Sequence, residues 1–192
     1  MNQKHDKQIV LQKGLQLFCN KGYKALGVDE ICEITGMTKG AFYNAFKSKE
    51  QFLVEALQLY SENNVKRIER ELMPSADFSS IEILKNFYLK MIQSQPKINF
   101  MGCFVNNMMS ELGTVNPVIG EITSLEYDKF IDAIEPIIQE SQKEGGINKT
   151  ISSRDIAMLL HSTFYGVLTI VKSSKDFQQG INTMNILFAN LK

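Results

Sequence analysis

Residues 38–44, TKGAFYN, form a short polar, basic and aromatic run whose side chains suit contact with nucleic acid. Phe42 and Phe46 stand four residues apart, so both would face a protein core from one side of a helix. The rest of that helix would carry four other residues: Lys39, Gly40, Tyr43 and Asn44. Lysine can pair with guanine, and asparagine can pair with adenine, at the edges of base pairs. The run is therefore compatible with a helix that contacts DNA through its outer face.

Two short helices joined by a tight turn would have to position this surface. Residues 28–35 carry Ile31 and Ile34 at helical spacing, and Gly36 can adopt the positive φ that a sharp turn requires. Thr38 can cap the second helix with its hydroxyl. Two helices in this arrangement, with a polar outer face on the second, are the helix-turn-helix pattern. An ordinary αα-hairpin has the same spacing, so spacing alone leaves both interpretations open.

The exact residue types favour the first interpretation, because residues 21–53 resemble the N-terminal DNA-binding domain of the TetR family of bacterial one-component regulators. The matching positions are Gly22, Tyr23, Val28, Ile31, Gly36, Thr38, Gly40, Phe42, Tyr43, Phe46 and the run Lys47-Ser48-Lys49-Glu50. The resemblance implies a three-helix DNA-binding head over residues 1–49 and a ligand-binding and dimerisation body over residues 50–192. It further implies a homodimeric repressor that a small-molecule inducer releases from a pseudo-palindromic operator in double-stranded DNA.

The resemblance also implies how each polar residue of the head meets DNA, where phosphate contacts give position and base contacts give specificity. Three residues would contact phosphate groups: Thr38, Tyr43 and Lys49. Three would face base edges: Lys39, Gly40 and Asn44. Gly40 would serve by letting the backbone approach the bases closely.

Charge is distributed unevenly along a chain whose formal net charge is zero. Residues 1–49 carry eight lysines and four acidic residues, a net charge of +4, and the rest of the chain carries −4. A basic head on an acidic body is expected of a protein that touches phosphate at one end. Chance unevenness of a solvated surface is the alternative with charges this small.

The spacing of apolar residues predicts an all-α protein of about nine helices, with no strand pattern. The eighth helix carries two apolar stripes, one of which consists of Leu159, Thr163, Gly166 and Ile170. In the TetR family the last two helices form a four-helix interface with a partner chain, and this second stripe is compatible with that.

No signal peptide or uninterrupted apolar segment of eighteen residues is visible, and the three cysteines suggest no disulfide framework. We therefore expect a cytoplasmic protein without membrane contact.

The inducer site can be placed only within the body, with Cys103, Asn107 and His161 as candidate ligand or sensor residues. Cys103 stands near the start of the sixth helix, where the helix N-terminus can lower a thiol pKa. Its surroundings also resemble a branch of the family in which some members respond to electrophiles or oxidants through a cysteine. A small buried hydrophobic residue is the alternative for Cys103, and a core histidine is the alternative for His161. Asn106 and Glu111 are further candidates for polar contact with a ligand.

Two other classes of function are alternatives to the regulator. A helical enzyme would need a catalytic or metal-binding constellation, but His5 and His161 lack carboxylate partners at helical spacing, and no phosphate-binding glycine loop is present. The sequence therefore predicts no enzyme, no metal and no cofactor. A helical dimer that binds a small molecule or a protein without DNA is the remaining alternative, and salt-dependent DNA binding distinguishes it from the regulator.

Overall fold

A computed structural model describes residues 6–191, so His5 lies outside the described residues. Within that range the chain forms nine α-helices, one short 3₁₀ turn and no strand, as the all-α prediction requires. The helices are α1 (Lys7–Lys21), α2 (Val28–Thr35), α3 (Lys39–Phe46), α4 (Lys49–Glu71), α5 (Ser80–Gln93), α6 (Phe104–Leu112), α7 (Pro117–Glu144), α8 (Ser153–Ser174) and α9 (Phe177–Ala189). The 3₁₀ turn, Gln95–Ile98, follows α5.

The described residues form two compact units, and α4 and α7 contribute residues to both. The first unit contains residues 6–63 and 104–126, and the second contains residues 64–103 and 127–191. The first unit therefore includes α6 as well as the three N-terminal helices. The predicted boundary between residues 49 and 50 stays a prediction.

A cluster of phenylalanine rings forms the core of the first unit. Phe52 lies at its centre, with ring centroids 4.7 Å from Phe46, 5.3 Å from Phe42 and 5.8 Å from Phe18. All four side chains are buried. A Cβ added at Gly14 would overlap the Phe52 ring, so glycine lets α1 and α4 approach closely.

Local signals in the sequence set the ends of α2 and α3. Gly36 ends α2 in the left-handed conformation with φ of 76°, and the Thr38 hydroxyl accepts a hydrogen bond from the Ala41 N–H at 3.1 Å. Ile31 is buried as expected. Ile34, at the same helical spacing, is 48% exposed.

The second unit is built from α5, α8, α9 and parts of α4 and α7, with α9 packed against α5 and α8. The first apolar stripe of α8 is buried there: Ile156, Leu160, Phe164, Val167 and Val171. This helix is long and apolar enough to cross a membrane, but half of its apolar segment is buried in the fold. A core helix meets the same criteria, so α8 is weak evidence for a membrane span.

Two local features of the body depart from simple sequence patterns. Leu125 continues the apolar spacing of α7, but it is 54% exposed, whereas the neighbouring Glu126 is 3% exposed. After α5 the chain makes a 3₁₀ turn over Gln95–Ile98 that includes Pro96. Proline is tolerated there because the first turn of a helix leaves N–H groups without partners.

Candidate nucleic-acid interface

The outer face of α3 is a continuous exposed surface. It contains five of the residues predicted to contact DNA: Thr38, Lys39, Gly40, Tyr43 and Asn44. Phe42 and Phe46 hold the opposite side of the helix in the core. Tyr43 remains 47% exposed although its ring packs edge-on against Phe42. The packing thus fixes the direction in which the polar residues point.

Gly40 leaves an open position at the middle of this face. The nearest atom to a Cβ built there is the Thr38 hydroxyl oxygen, 4.0 Å away. Glycine is therefore not required by packing within the head. The space that it leaves would allow the helix backbone to approach a flat surface such as the floor of a DNA groove.

Lys39 forms an exposed ion pair with Asp29 of α2, with 2.7 Å between the ammonium and the carboxylate. The hydrogen bond with Asp29 raises the pKa of Lys39, so the lysine carries its charge throughout the physiological range. Exposed pairs of this kind contribute little to stability. The carboxylate can therefore be exchanged for a DNA acceptor at small cost.

Lys49 occupies a different environment from the other predicted contacts. Its ammonium donates hydrogen bonds to the backbone carbonyls of Tyr23 and Leu26, each at 2.8 Å, and lies 4.1 Å from the centroid of the Tyr23 ring. Burial lowers the pKa of Lys49, an effect that the Glu111 carboxylate opposes. Lys49 thus fastens α4 to the loop between α1 and α2. Its phosphate contact stays a prediction.

Glu111 of α6 binds the same loop from the other side, a role that the sequence did not suggest. Its two carboxylate oxygens accept hydrogen bonds from the backbone N–H groups of Tyr23 and Lys24 at 2.9 and 3.0 Å. Gly22, with φ of 78°, exposes these groups, and a side chain there would meet the carboxylate. Glu111, considered above as a ligand contact, is therefore occupied within the first unit and positions the loop before α2.

Changing Glu111 to glutamine should lower the free energy of unfolding by about 1–2 kcal/mol, because one charged acceptor becomes an amide donor that faces a backbone N–H. Chemical denaturation followed by circular dichroism measures the change. Glu121→Gln is the matched control, since Glu121 lies exposed on α7 of the same unit. Equal shifts for the two variants would contradict the role assigned to Glu111.

Comparison with known proteins gives the family of this chain. The family model described as "Bacterial regulatory proteins, tetR family" matches residues 10–56. The HTH-type transcriptional repressor DhaR of Mycobacterium sp. (strain GP1) is 23% identical over 96% of this chain and 91% of its own length. The chain therefore contains a DNA-binding domain of the TetR family. It is a helix-turn-helix DNA-binding transcriptional regulator, as the sequence predicted.

Similarity to TetR-family proteins extends beyond the head. The Transposon Tn10 TetC protein of Escherichia coli is 29% identical over 91% of this chain and 84% of its own length. The regulatory protein TetR from Rhodobacter sphaeroides has the same fold, with a TM-score of 0.82 and 20% identity over 94% of this chain and 95% of its own. The TetR family binds operator DNA and acts as dimers with small-molecule ligands. Its members are transcription regulators and not a family of enzymes.

The second unit contains two of the three candidate sensor residues. His161 is buried, and its Nδ1 lies 3.3 Å from the Tyr88 hydroxyl. Burial lowers the pKa of His161 to about 3. The thiol of Cys103 donates to the Tyr165 hydroxyl at 3.6 Å, and the Tyr165 ring lies 4.7 Å from that of His161. One aromatic cluster thus contains both candidates.

Asn107 and Cys103, both candidate sensor residues, belong to different units. Asn107 lies half-buried on α6 and belongs to the first unit. Cys103 is buried and directly precedes α6, so its role as an electrophile or oxidant sensor stays a prediction. No disulfide joins cysteines within the described residues, and no group of three potential metal ligands occurs in the same range. Tyr165 could not be recognised as a neighbour of Cys103 from the sequence, because the two residues lie 62 positions apart.

Proposed function

We propose that this protein is a homodimeric repressor that binds a pseudo-palindromic operator through α3 of each protomer and leaves it when a small molecule binds in its helical body. The observation that carries the proposal is the outer face of α3. Polar and aromatic residues lie exposed there on a helix whose other side is fixed in a phenylalanine core. The relative DhaR, which is named a repressor, supports the sign of regulation. The protein would act in the cytoplasm, on chromosomal DNA.

The residues of this face divide by chemistry into positioning and reading groups. The hydroxyls of Thr38 and Tyr43 are suited to phosphate oxygens. The N-terminus of α3 carries a partial positive charge, which also favours a phosphate group. Lys39 and Asn44 are suited to base edges. Lys39 would exchange its exposed ion pair with Asp29 for a base contact. Lys49 would act first by holding the loop that precedes α2 and, in the complex, as a phosphate contact.

The second stripe of α8 supports dimerisation. Leu159 and Ile170 are 47% and 55% exposed, and the space around a Cβ at Gly166 is empty within 4 Å. On the neighbouring α9, Ile186 is 66% exposed. A run of exposed apolar side chains with a glycine among them is suited to close packing against a second copy of the same helices.

Placing glutamate at both Leu159 and Ile170 should produce a monomer, because the dimer would bury four unpaired carboxylates. Sedimentation velocity measures the oligomeric state. Binding to operator DNA should weaken at least tenfold, since the two half-sites would no longer be engaged together.

The control for this change is a variant with glutamate at Met73 and Ile98, which are exposed apolar residues outside α8 and α9. It should remain dimeric and bind DNA normally. If the Leu159→Glu, Ile170→Glu protein remained dimeric with unchanged DNA affinity, the second stripe of α8 would not form the dimer interface.

A further inference from the structure

His161 is the centre of an enclosure of five aromatic rings in the second unit. The ring centroids lie 4.7–6.1 Å from that of the imidazole, and they belong to Tyr88, Tyr127, Phe130, Phe164 and Tyr165. The rings come from α5, α7 and α8. A polar ring buried among apolar faces must find hydrogen-bond partners for both of its nitrogens, or stability is lost.

The hydrogen bond to Tyr88 indicates which imidazole nitrogen carries the proton. The Tyr88 hydroxyl is fully buried and meets Nδ1 at 3.3 Å. If the hydroxyl donates, Nδ1 accepts and the proton of the neutral ring lies on Nε2. If Nδ1 donated instead, the hydroxyl hydrogen and the Nε2 lone pair would both need other partners. The first arrangement leaves fewer polar groups unsatisfied, so Nε2 is a donor.

Nε2 has no hydrogen-bond partner among the described residues 6–191, although it is buried. A buried N–H without an acceptor is costly, and a ligand that supplies an acceptor recovers that cost. The imidazole is uncharged at neutral pH, because burial lowers its pKa to about 3. An anion would therefore lose its hydration without meeting a positive charge. The enclosure instead suits an uncharged molecule with a flat apolar body and a single acceptor.

We propose that the buried enclosure around His161 binds an uncharged aromatic carbonyl compound, whose oxygen accepts the hydrogen of Nε2 while its ring packs against the surrounding tyrosines and phenylalanines. The inference rests on the proposed function only in identifying this compound as the class of inducer. Because the rings belong to three helices, a molecule that enters beside Nε2 must part those helices. The ligand would thereby favour an altered arrangement of the second unit.

Isothermal titration with acetophenone and ethylbenzene tests the inference, because the two probes share a size and an aromatic ring but only acetophenone carries an acceptor. The wild-type protein should bind acetophenone about tenfold more tightly, which is the effect of one buried hydrogen bond. His161→Phe keeps an aromatic ring and removes the donor, so it should bind both probes equally. Wild-type protein that binds both probes equally, or neither, would overturn the inference, as would a preference that survives in His161→Phe.

Tyr88→Phe is a second, independent variant that leaves His161 in place. Without the hydroxyl, the proton can move to Nδ1, so the preference for acetophenone should fall. An unchanged preference in Tyr88→Phe would overturn the proposal. DNA affinity measured with and without saturating acetophenone judges the proposed function separately. If the probe preference depends on His161 but acetophenone does not change DNA affinity, the ligand site at His161 is supported. Release from DNA by this class of inducer is then contradicted.

Discussion

Replacing Tyr43 and Lys39 together with alanine should weaken binding to operator DNA by about 100-fold or more. The change removes one phosphate contact and one base contact from each protomer, and a base contact alone contributes roughly 1–3 kcal/mol. Both side chains are exposed, and within residues 6–191 the change breaks one ion pair, the exposed one with Asp29. The fold should therefore remain unchanged. Fluorescence anisotropy with labelled operator measures the affinity, and thermal unfolding measures the stability.

A matched control removes one exposed aromatic residue and one lysine from the second unit, as Phe78→Ala with Lys149→Ala. This control has the same change of charge and loses a similar aromatic surface. It should bind the operator with nearly wild-type affinity. If both double variants lost the same affinity, general charge and not the face of α3 would account for binding.

Acidification from pH 7 to pH 5 should lower the free energy of unfolding by about 2 kcal/mol through His161 alone. Burial lowers the pKa of His161 to about 3, whereas an unfolded histidine titrates near 6.5. Between these two values the unfolded chain binds a proton that the folded chain does not. Stability therefore falls as the pH decreases, by about 1.4 kcal/mol for each pH unit, and is fully retained above the unfolded pKa.

Urea unfolding at a series of pH values, followed by circular dichroism, measures this dependence. His161→Phe provides the reference, because it lacks the titrating group and retains the carboxylates and His5. The difference in stability between the two proteins should change by about 2 kcal/mol between pH 7 and pH 5. Parallel curves over that interval would show that His161 is not buried in its neutral form.

The head was predictable from the sequence because its signals are local. Gly36 and Thr38 fix the turn and the start of α3, and α2 and α3 begin and end at the predicted residues. Phe42 and Phe46 then determine which side of α3 is buried. The exposed face follows from that pattern without knowledge of the rest of the chain.

Contacts between distant parts of the sequence could not be predicted in this way. Glu111 binds N–H groups 87 and 88 residues earlier in the chain, and a lone carboxylate on a helix gives no sign of that partner. The enclosure of His161 likewise combines three helices, so its spacing within α8 shows burial but not the neighbouring rings. On α7, the inversion of Leu125 and Glu126 arises from tertiary packing that overrides the apolar pattern.

Selection of bound sequences from random duplex DNA tests most directly whether α3 reads an operator. We expect enrichment of a pseudo-palindrome whose half-sites are separated by about one helical turn, roughly 34 Å. The enrichment should persist in Phe78→Ala, Lys149→Ala and disappear in Tyr43→Ala, Lys39→Ala. No enriched sequence at low salt, or the same sequence enriched by all three proteins, would show that the outer face of α3 does not read an operator.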